Sequence, residues 1–171
     1  MKKLVKEKCK KIKLLITDVD GVLTDGGRYY SNRGEILKKF HVRDGMGVNL
    51  LLRNGINTVI VTKETSKIVD KWAKSMNVTK VFSGIKTKEN ELKKICKMYK
   101  LNPSEISYIG DDVNDLELMK RVGFSATPND GIEQAKKIAD YVCKVSGGKG
   151  VLREICDIIL KEKFPNKTKW Y

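Results

Sequence analysis

The chain has 171 residues, with 35 Lys and Arg against 21 Asp and Glu, one His and four Cys. A chain of this length predicts one domain that buries roughly 70% of the surface its unfolded form exposes. A hydrophobic fraction of 40% excludes wholesale disorder. The lone His41 excludes a multi-histidine metal site, and any Ser-His-Asp triad would have to use it. Cys9, Cys96, Cys143 and Cys156 form no CxxC pair, which argues against a zinc finger or a thioredoxin-like motif. They read as small buried side chains in a reducing compartment.

No apolar run approaches the ~20 residues of a bilayer span. The basic segment 1–13 lacks the apolar stretch and cleavage site of a signal peptide. A soluble, cytoplasmic protein with no membrane partner is expected. The net charge of +14 raises the question of nucleic acid, but only six of the basic residues are Arg, the side chain that base edges and paired phosphate oxygens favour. The lysines are spread along the chain among acids, which reads as a solvated surface that also attracts anionic substrates. Nucleic acid is not expected as a partner.

Along the chain, Leu4, Val5, Cys9 and Ile12 predict an apolar stripe on a short basic helix. Residues 13–17 form a short apolar run ending at Asp18, as a buried strand would. Residues 28–40 carry an Asn-Arg-Gly turn between two extended halves and predict a β-hairpin. Residues 44–54 predict a helix stopped at Gly55, and 57–62 a second buried strand ending at Thr62. Ile68, Val69, Trp72, Ala73 and Met76 follow helical spacing, and Val81-Phe82 mark a strand. Leu92, Ile95, Cys96 and Tyr99 line a Lys-rich helix, which Pro103-Ser104 breaks before a strand at 106–109. Leu116, Met119 and Val122 suggest a short helix, Gly123–Ala126 and Tyr141–Val145 two further strands, and 151–163 a final amphipathic helix. The fold class predicted is α/β, a Rossmann-like doubly wound parallel sheet with a hairpin insertion. One domain spans 1–171, with its core at about 12–160, a basic segment at 1–11, and a tail at 161–171 whose last eight residues, 164–171, leave the core.

In such sheets ligands bind outside the carboxyl ends of the strands. Asp18, Asp20, Thr62, Asp111, Asp112 and Asp115 fall there, with Lys88 opening a helix. Each pair of like charges about 4 Å apart costs roughly 4 kcal/mol at an effective dielectric of about 20. Either several of the five carboxyls are protonated or a divalent cation sits among them. An all-oxygen set suits Mg²⁺, which commonly bridges to a phosphate. Lys88 and Thr62 would add a charge and a neutral donor able to receive a phosphoryl group in transit.

The segments DVDGVLTDG (18–26), Thr62 after an apolar strand, Lys88, and GDDVND (110–115) resemble, in order, the four motifs of the haloacid dehalogenase superfamily. The cap-less branch is nearest, with 3-deoxy-manno-octulosonate (KDO) 8-phosphate phosphatases, nonulosonate 9-phosphate phosphatases and the domain fused to some acylneuraminate cytidylyltransferases. GRYYSNRGEILKKFHVRDG (27–45), RVGFSATPND (121–130) and GGKGVLREICD (147–157) extend the match to about residues 12–160.

The resemblance implies that Asp18 is the phosphoryl-accepting nucleophile and Asp20 the general acid and base. It further implies that Asp18, Asp111 and the Asp20 carbonyl hold Mg²⁺, with Asp112 acting through water. Thr62 and Lys88 would grip the phosphoryl oxygens, and Asp115 would order the loop. Arg43, Glu64 and Lys149 are candidate substrate contacts, and 147–150 precede a helix N-terminus, which suits an anion. His41 is expected to be structural. Cap-less members imply a homotetramer in which the 28–40 hairpin closes a neighbour's site. Where the octulosonate enzymes have Gly-Arg after the threonine, this chain has Lys63-Glu64, and Glu64 points toward nine-carbon sugar acids. The alternatives are a non-catalytic assembly domain, a phosphoacceptor switch, and a phosphatase for another ester, including nucleic-acid 3′-ends.

Overall fold

The computed structural model of the chain describes residues 3–169. Helix α1 (Lys3–Lys11) buries Val5 and Cys9 and leads through buried Ile12 into strand β1 (Leu14–Thr17). Leu4, expected on the same stripe, points away and is 66% exposed, so the buried face is narrower than the spacing suggested. The hairpin follows as β2 (Tyr29–Ser31) and β3 (Gly34–Leu37), paired with each other in a separate two-stranded sheet. Helix α2 (Val42–Arg53) starts two residues before the expected point, because the Nδ1 of His41 accepts from the Arg43 amide and caps it.

Strands β4 (Asn57–Val61) and β5 (Lys80–Phe82) flank α3 (Lys67–Ser75). Helix α4 (Glu89–Tyr99), β6 (Ile106–Ile109) and α5 (Leu116–Arg121) come next. β7 (Phe124–Thr127), α6 (Glu133–Ile138), β8 (Tyr141–Val142) and α7 (Val151–Lys163) complete the fold. The main sheet has six parallel strands in the order β5-β4-β1-β6-β7-β8. Leu15 and its neighbours pack on one face under α1, α2, α3 and α7, while Leu14 and Ile16 pack on the other under α4, α5 and α6. Such two-sided burial explains why the strands read as continuous apolar runs rather than alternations.

Two expectations are corrected and one element was not anticipated. Helix α6 carried no signal, because a six-residue element with one fully buried side chain, Ala135, shows no helical period. The strand expected over Tyr141–Val145 stops at Val142. The Cys143 amide makes one more bond, to the Thr127 carbonyl, and then the carboxylate of Glu154 takes the amides of Lys144 and Val145 and peels the chain off the sheet. In the tail, Phe164 stays half-buried against the core instead of leaving it. Trp170 and Tyr171 lie outside the described residues.

Candidate active site

Thr17 is level with Ile60 of β4 and Ile109 of β6, so three central strands end together on one side of the sheet. Asp18 prolongs β1, its amide donating to the Ile109 carbonyl at 3.0 Å. Beyond it the amides of Val22, Leu23 and Thr24 converge on the Val19 carbonyl, winding the chain into a tight turn. Gly21 sits in that turn at φ +89°, and a Cβ there would lie 2.1 Å from Asp111 Oδ2. The glycine therefore meets two demands, a left-handed backbone and contact with the acidic loop after β6.

Lys88, at the start of α4, is fully buried; its Nζ lies 2.8 Å from Asp18 Oδ1 and 2.6 Å from Asp115 Oδ1. Burial works against charge on this ammonium, but Asp18 and Asp115 outweigh it and hold its pKa above the ordinary value. Asp115 also accepts from the Tyr108 hydroxyl at 2.6 Å and from the amides of Asp111 and Asp112. Through these contacts Asp115 ties Lys88 and β6 to the loop that follows it.

Asp18, Asp111 and Asp115 each bring one oxygen within 4.8 Å of the others. Asp115 is spent on four donors, whereas Asp111 Oδ1 is buried with no partner among the described residues. Burial, and after it the carboxylates of Asp18 and Asp115, push Asp111 up to about 8. Burial likewise raises Asp18, to about 7, against the pull of Lys88. An unpartnered oxygen beside a second carboxyl, both reluctant to ionise alone, fits a hard cation such as Mg²⁺ held by oxygen ligands. Asp112 is exposed and its Oδ1 caps the turn at Val113.

Asp20 faces the hairpin. Lys38 contacts its Oδ1 and reaches Glu35 Oε1 at 2.9 Å, and Ser66 donates to Glu35 Oε2 at 2.8 Å. Arg28 Nη2 lies 3.3 Å from Asp20 Oδ2 and 3.4 Å from Glu64 Oε1. Asp20, Arg28 and Glu64 border a cleft of about 160 Å³ that Asp18, Thr62, Lys63 and Asn114 also line.

Of the residues singled out in the sequence, Asp18, Asp20, Thr62, Glu64 and Asp112 meet in this cleft, with buried Lys88 and half-buried Asp111 next to Asp18. Arg43 and Lys149 do not line it; Arg43 borders a separate depression with Met46, Met76 and Arg153. The loop 147–150 is not an open anion site. The Gly147 amide donates to Asp130 and that of Gly148 to the Val22 carbonyl. A Cβ on Gly147 would stand 2.2 Å from the Gly21 carbonyl oxygen, so this loop props the Asp18–Asp20 turn from behind. The α7 N-terminus already holds an anion, fully buried Asp44, which accepts from the Arg153 amide at 2.9 Å.

Sequence reasoning missed Arg28, Lys38, Asp44, Tyr108 and Asn114. Only Tyr108 carried a signal, since a tyrosine inside a fully buried strand needs a partner for its hydroxyl.

The carboxylates, lysine and threonine at the switch point of this sheet define a phosphoryl-transfer hydrolase, and the chain belongs to the haloacid dehalogenase-like hydrolases, whose family profile matches residues 57–155. Among curated proteins it is 37% identical over 153 residues to the 3-deoxy-D-manno-octulosonate 8-phosphate phosphatase KdsC of Escherichia coli strain K12, covering 90% of this chain and 81% of that one. Among solved structures it resembles the phosphatase of the same name from Yersinia pestis, with a TM-score of 0.92, 35% identity, and coverage of 94% and 87%. The Moraxella catarrhalis phosphatase, solved with a magnesium ion, a phosphate ion and KDO, gives a TM-score of 0.90 at 36% identity, with coverage of 93% and 91%.

Proposed function

We propose that this protein is a Mg²⁺-dependent phosphatase that hydrolyses the phosphate monoester of a 2-keto-3-deoxy sugar acid, with KDO 8-phosphate as the first substrate to test. The observation that carries the reading is the geometry at Asp18. The residue is 6% exposed, its carboxyl held by Lys88 at 2.8 Å and set beside the Asp111 oxygen that has no partner among the described residues.

Asp18 attacks phosphorus through the oxygen not taken by Lys88; the bond to the sugar oxygen breaks and an aspartyl-phosphate forms. Asp20 gives its proton to the departing sugar oxygen, then takes one from the water that cleaves the acyl phosphate, releasing phosphate and restoring Asp18. Thr62 and Lys88 bind the phosphoryl oxygens. Asp18, Asp111 and the carbonyl of Asp20 would hold Mg²⁺, which offsets charge on the phosphoryl group.

The deciding experiment is phosphate release with Mg²⁺ from KDO 8-phosphate, KDN 9-phosphate and N-acetylneuraminate 9-phosphate, by wild type and Asp18→Asn. Wild type should turn over at least one of them, and the variant none. Turnover by a folded Asp18→Asn protein would remove Asp18 as nucleophile. A second reading, in which the nine-carbon esters are preferred, is favoured by Glu64, which presents a carboxylate to the cleft. Supporting it would need Glu64→Arg to erode a measured nine-carbon preference.

Copies of the chain associate through the 28–40 hairpin as a homotetramer in this proposal. The support is a patch of exposed side chains on a two-stranded ribbon, Tyr29, Tyr30, Ile36 and Leu37, at 54%, 60%, 56% and 44% exposure. The proposed setting is the cytoplasm, and the proposed unit of activity is a single catalytic domain per chain. No helix among the described residues is long and apolar enough to cross a membrane.

A further inference from the structure

A sugar acid phosphate brings two anionic groups into the cleft. At the phosphoryl end stand Lys88, Thr62 and the carboxylates of Asp18 and Asp111 that would hold a cation. The carboxylate at the other end needs a cation of its own, and the cleft narrows the choice. Lys88 is fully buried and shared between Asp18 and Asp115. Lys38 is equally committed, its side chain 1% exposed between Asp20 and Glu35. Lys63 is exposed and has no carboxylate partner among the described residues, so none of them holds its flexible stem over the opening. Arg28 remains, its side chain 33% exposed.

The Arg28 contacts are those of a group that is held but not used up. One nitrogen, Nη2, is split between Asp20 at 3.3 Å and Glu64 at 3.4 Å. Nη1 lies 3.4 Å from the Tyr30 hydroxyl. All three exceed the roughly 2.7–2.9 Å of a strong charge-assisted bond. A guanidinium carries five N–H donors in a planar fork that matches a carboxylate edge to edge, and three long contacts do not exhaust it. Its backbone follows Gly26 and Gly27, which lets the start of the hairpin shift as the fork turns.

We propose that Arg28 is a specificity-determining residue that binds the substrate carboxylate, and that Glu64 is a positioning residue that keeps the guanidinium over the cleft. The proposal rests on the phosphatase reading above and adds to it the group that recognises the acid end. The free enzyme parks Arg28 between Asp20 and Glu64. An incoming carboxylate exchanges the long Asp20 contact for a paired one, while Glu64 stays as the tether. Because the motif loop itself supplies Lys63-Glu64 rather than an arginine, the hairpin brings the guanidinium from the opposite wall.

The test compares KDO 8-phosphate with arabinose 5-phosphate, a primary phosphate ester without a carboxylate, in wild type, Arg28→Ala, Arg28→Lys and Glu64→Gln. In Arg28→Ala the ratio of kcat/KM for the sugar acid ester to that for the pentose ester should fall tenfold or more, through KM. Arg28→Lys, which keeps the charge but not the fork, should fall in between. Glu64→Gln should raise KM for the sugar acid several-fold while kcat holds. Thermal melts of each variant exclude unfolding as the cause. If wild type prefers the sugar acid ester and Arg28→Ala retains that preference, the carboxylate assignment is overturned and the phosphatase reading stands. If wild type turns over the pentose ester and not the sugar acid, the substrate reading is overturned and the Arg28 assignment falls with it.

Discussion

Lys88 Nζ stands 2.8 Å from Asp18 Oδ1 with neither side chain open to more than a trace of solvent. The two are 70 positions apart in the chain (88 − 18) and meet because β1 and the start of α4 converge at the same end of the sheet. Lys88 thereby engages one Asp18 oxygen and cancels part of the charge that burial would otherwise expel.

Replacing Lys88 by Met keeps most of the volume and removes the charge. Breaking a buried pair in this way costs about 3–5 kcal/mol. Asp115 keeps Tyr108 and two amides, so the loop should hold and the protein should fold with a lower melting temperature. Turnover should drop about 10²- to 10³-fold, as when one preorganised donor is lost from a transition state. A variant with full kcat would show that Lys88 serves packing alone.

Gly21→Ala tests the close approach between the turn and the acidic loop. Left-handed backbone at φ +89° disfavours alanine by about 1–2 kcal/mol. The added methyl would also lie 2.1 Å from Asp111 Oδ2, so Asp111 must move. Mg²⁺ affinity measured by calorimetry should fall at least tenfold, with far-ultraviolet dichroism unchanged. Unaltered affinity would mean Asp111 is not a ligand.

The site was legible in the sequence to the extent that it lies at strand ends. Short apolar runs stopping at Asp18, Thr62 and Gly110 placed the carboxylates and the threonine without knowledge of packing. What stayed hidden depends on segments distant in sequence folding over one another. Arg28 and Lys38 enter the site only because the hairpin bends back over Asp20, and no spacing records that. The loop at Gly147 looked like an anion cradle because glycines precede a helix. Its amides are instead spent on Asp130 and Val22, and the α7 N-terminus belongs to Asp44, distant in the chain. The early end of β8 rests on one carboxylate, Glu154, arriving from α7.

Asp44 should leave a pH signature. Burial pushes its carboxyl up to about 6, while the amides of Arg153 and Leu152 pull the other way. The unfolded value is about 3.9, so the folded protein holds this proton more tightly. Its contribution to stability is then complete below about pH 4 and is lost as pH rises through about 6. Asn does not titrate, so the stability of wild type relative to Asp44→Asn should decline between pH 4 and pH 7, by up to about 3 kcal/mol. Urea melts at pH 4, 5.5 and 7 measure it; a difference constant with pH would place the carboxyl at an ordinary value.

The hairpin patch predicts assembly. Ile36→Glu adds a charge to a side chain that is 56% exposed in the single chain and buried only if copies meet there. Sedimentation should show a lighter species for this variant, with a monomer melt close to that of wild type. An unchanged sedimentation coefficient would place the interface elsewhere.

Metal binding should itself depend on pH, and its sign follows from the same burial. Asp111 is raised to about 8 and Asp18 to about 7, so a cation must displace protons to reach them. Mg²⁺ affinity should therefore rise from pH 6 to pH 8, and the melting temperature gained on adding Mg²⁺ should grow over the same range. Without metal the folded protein binds these protons more tightly than the unfolded chain. The chelated protein should accordingly lose stability as pH climbs through 7 and 8, where magnesium restores it. Scanning fluorimetry with and without chelator at pH 6, 7 and 8 decides the matter. A magnesium-induced gain that shrank toward pH 8 would mean that the ion binds away from Asp18 and Asp111.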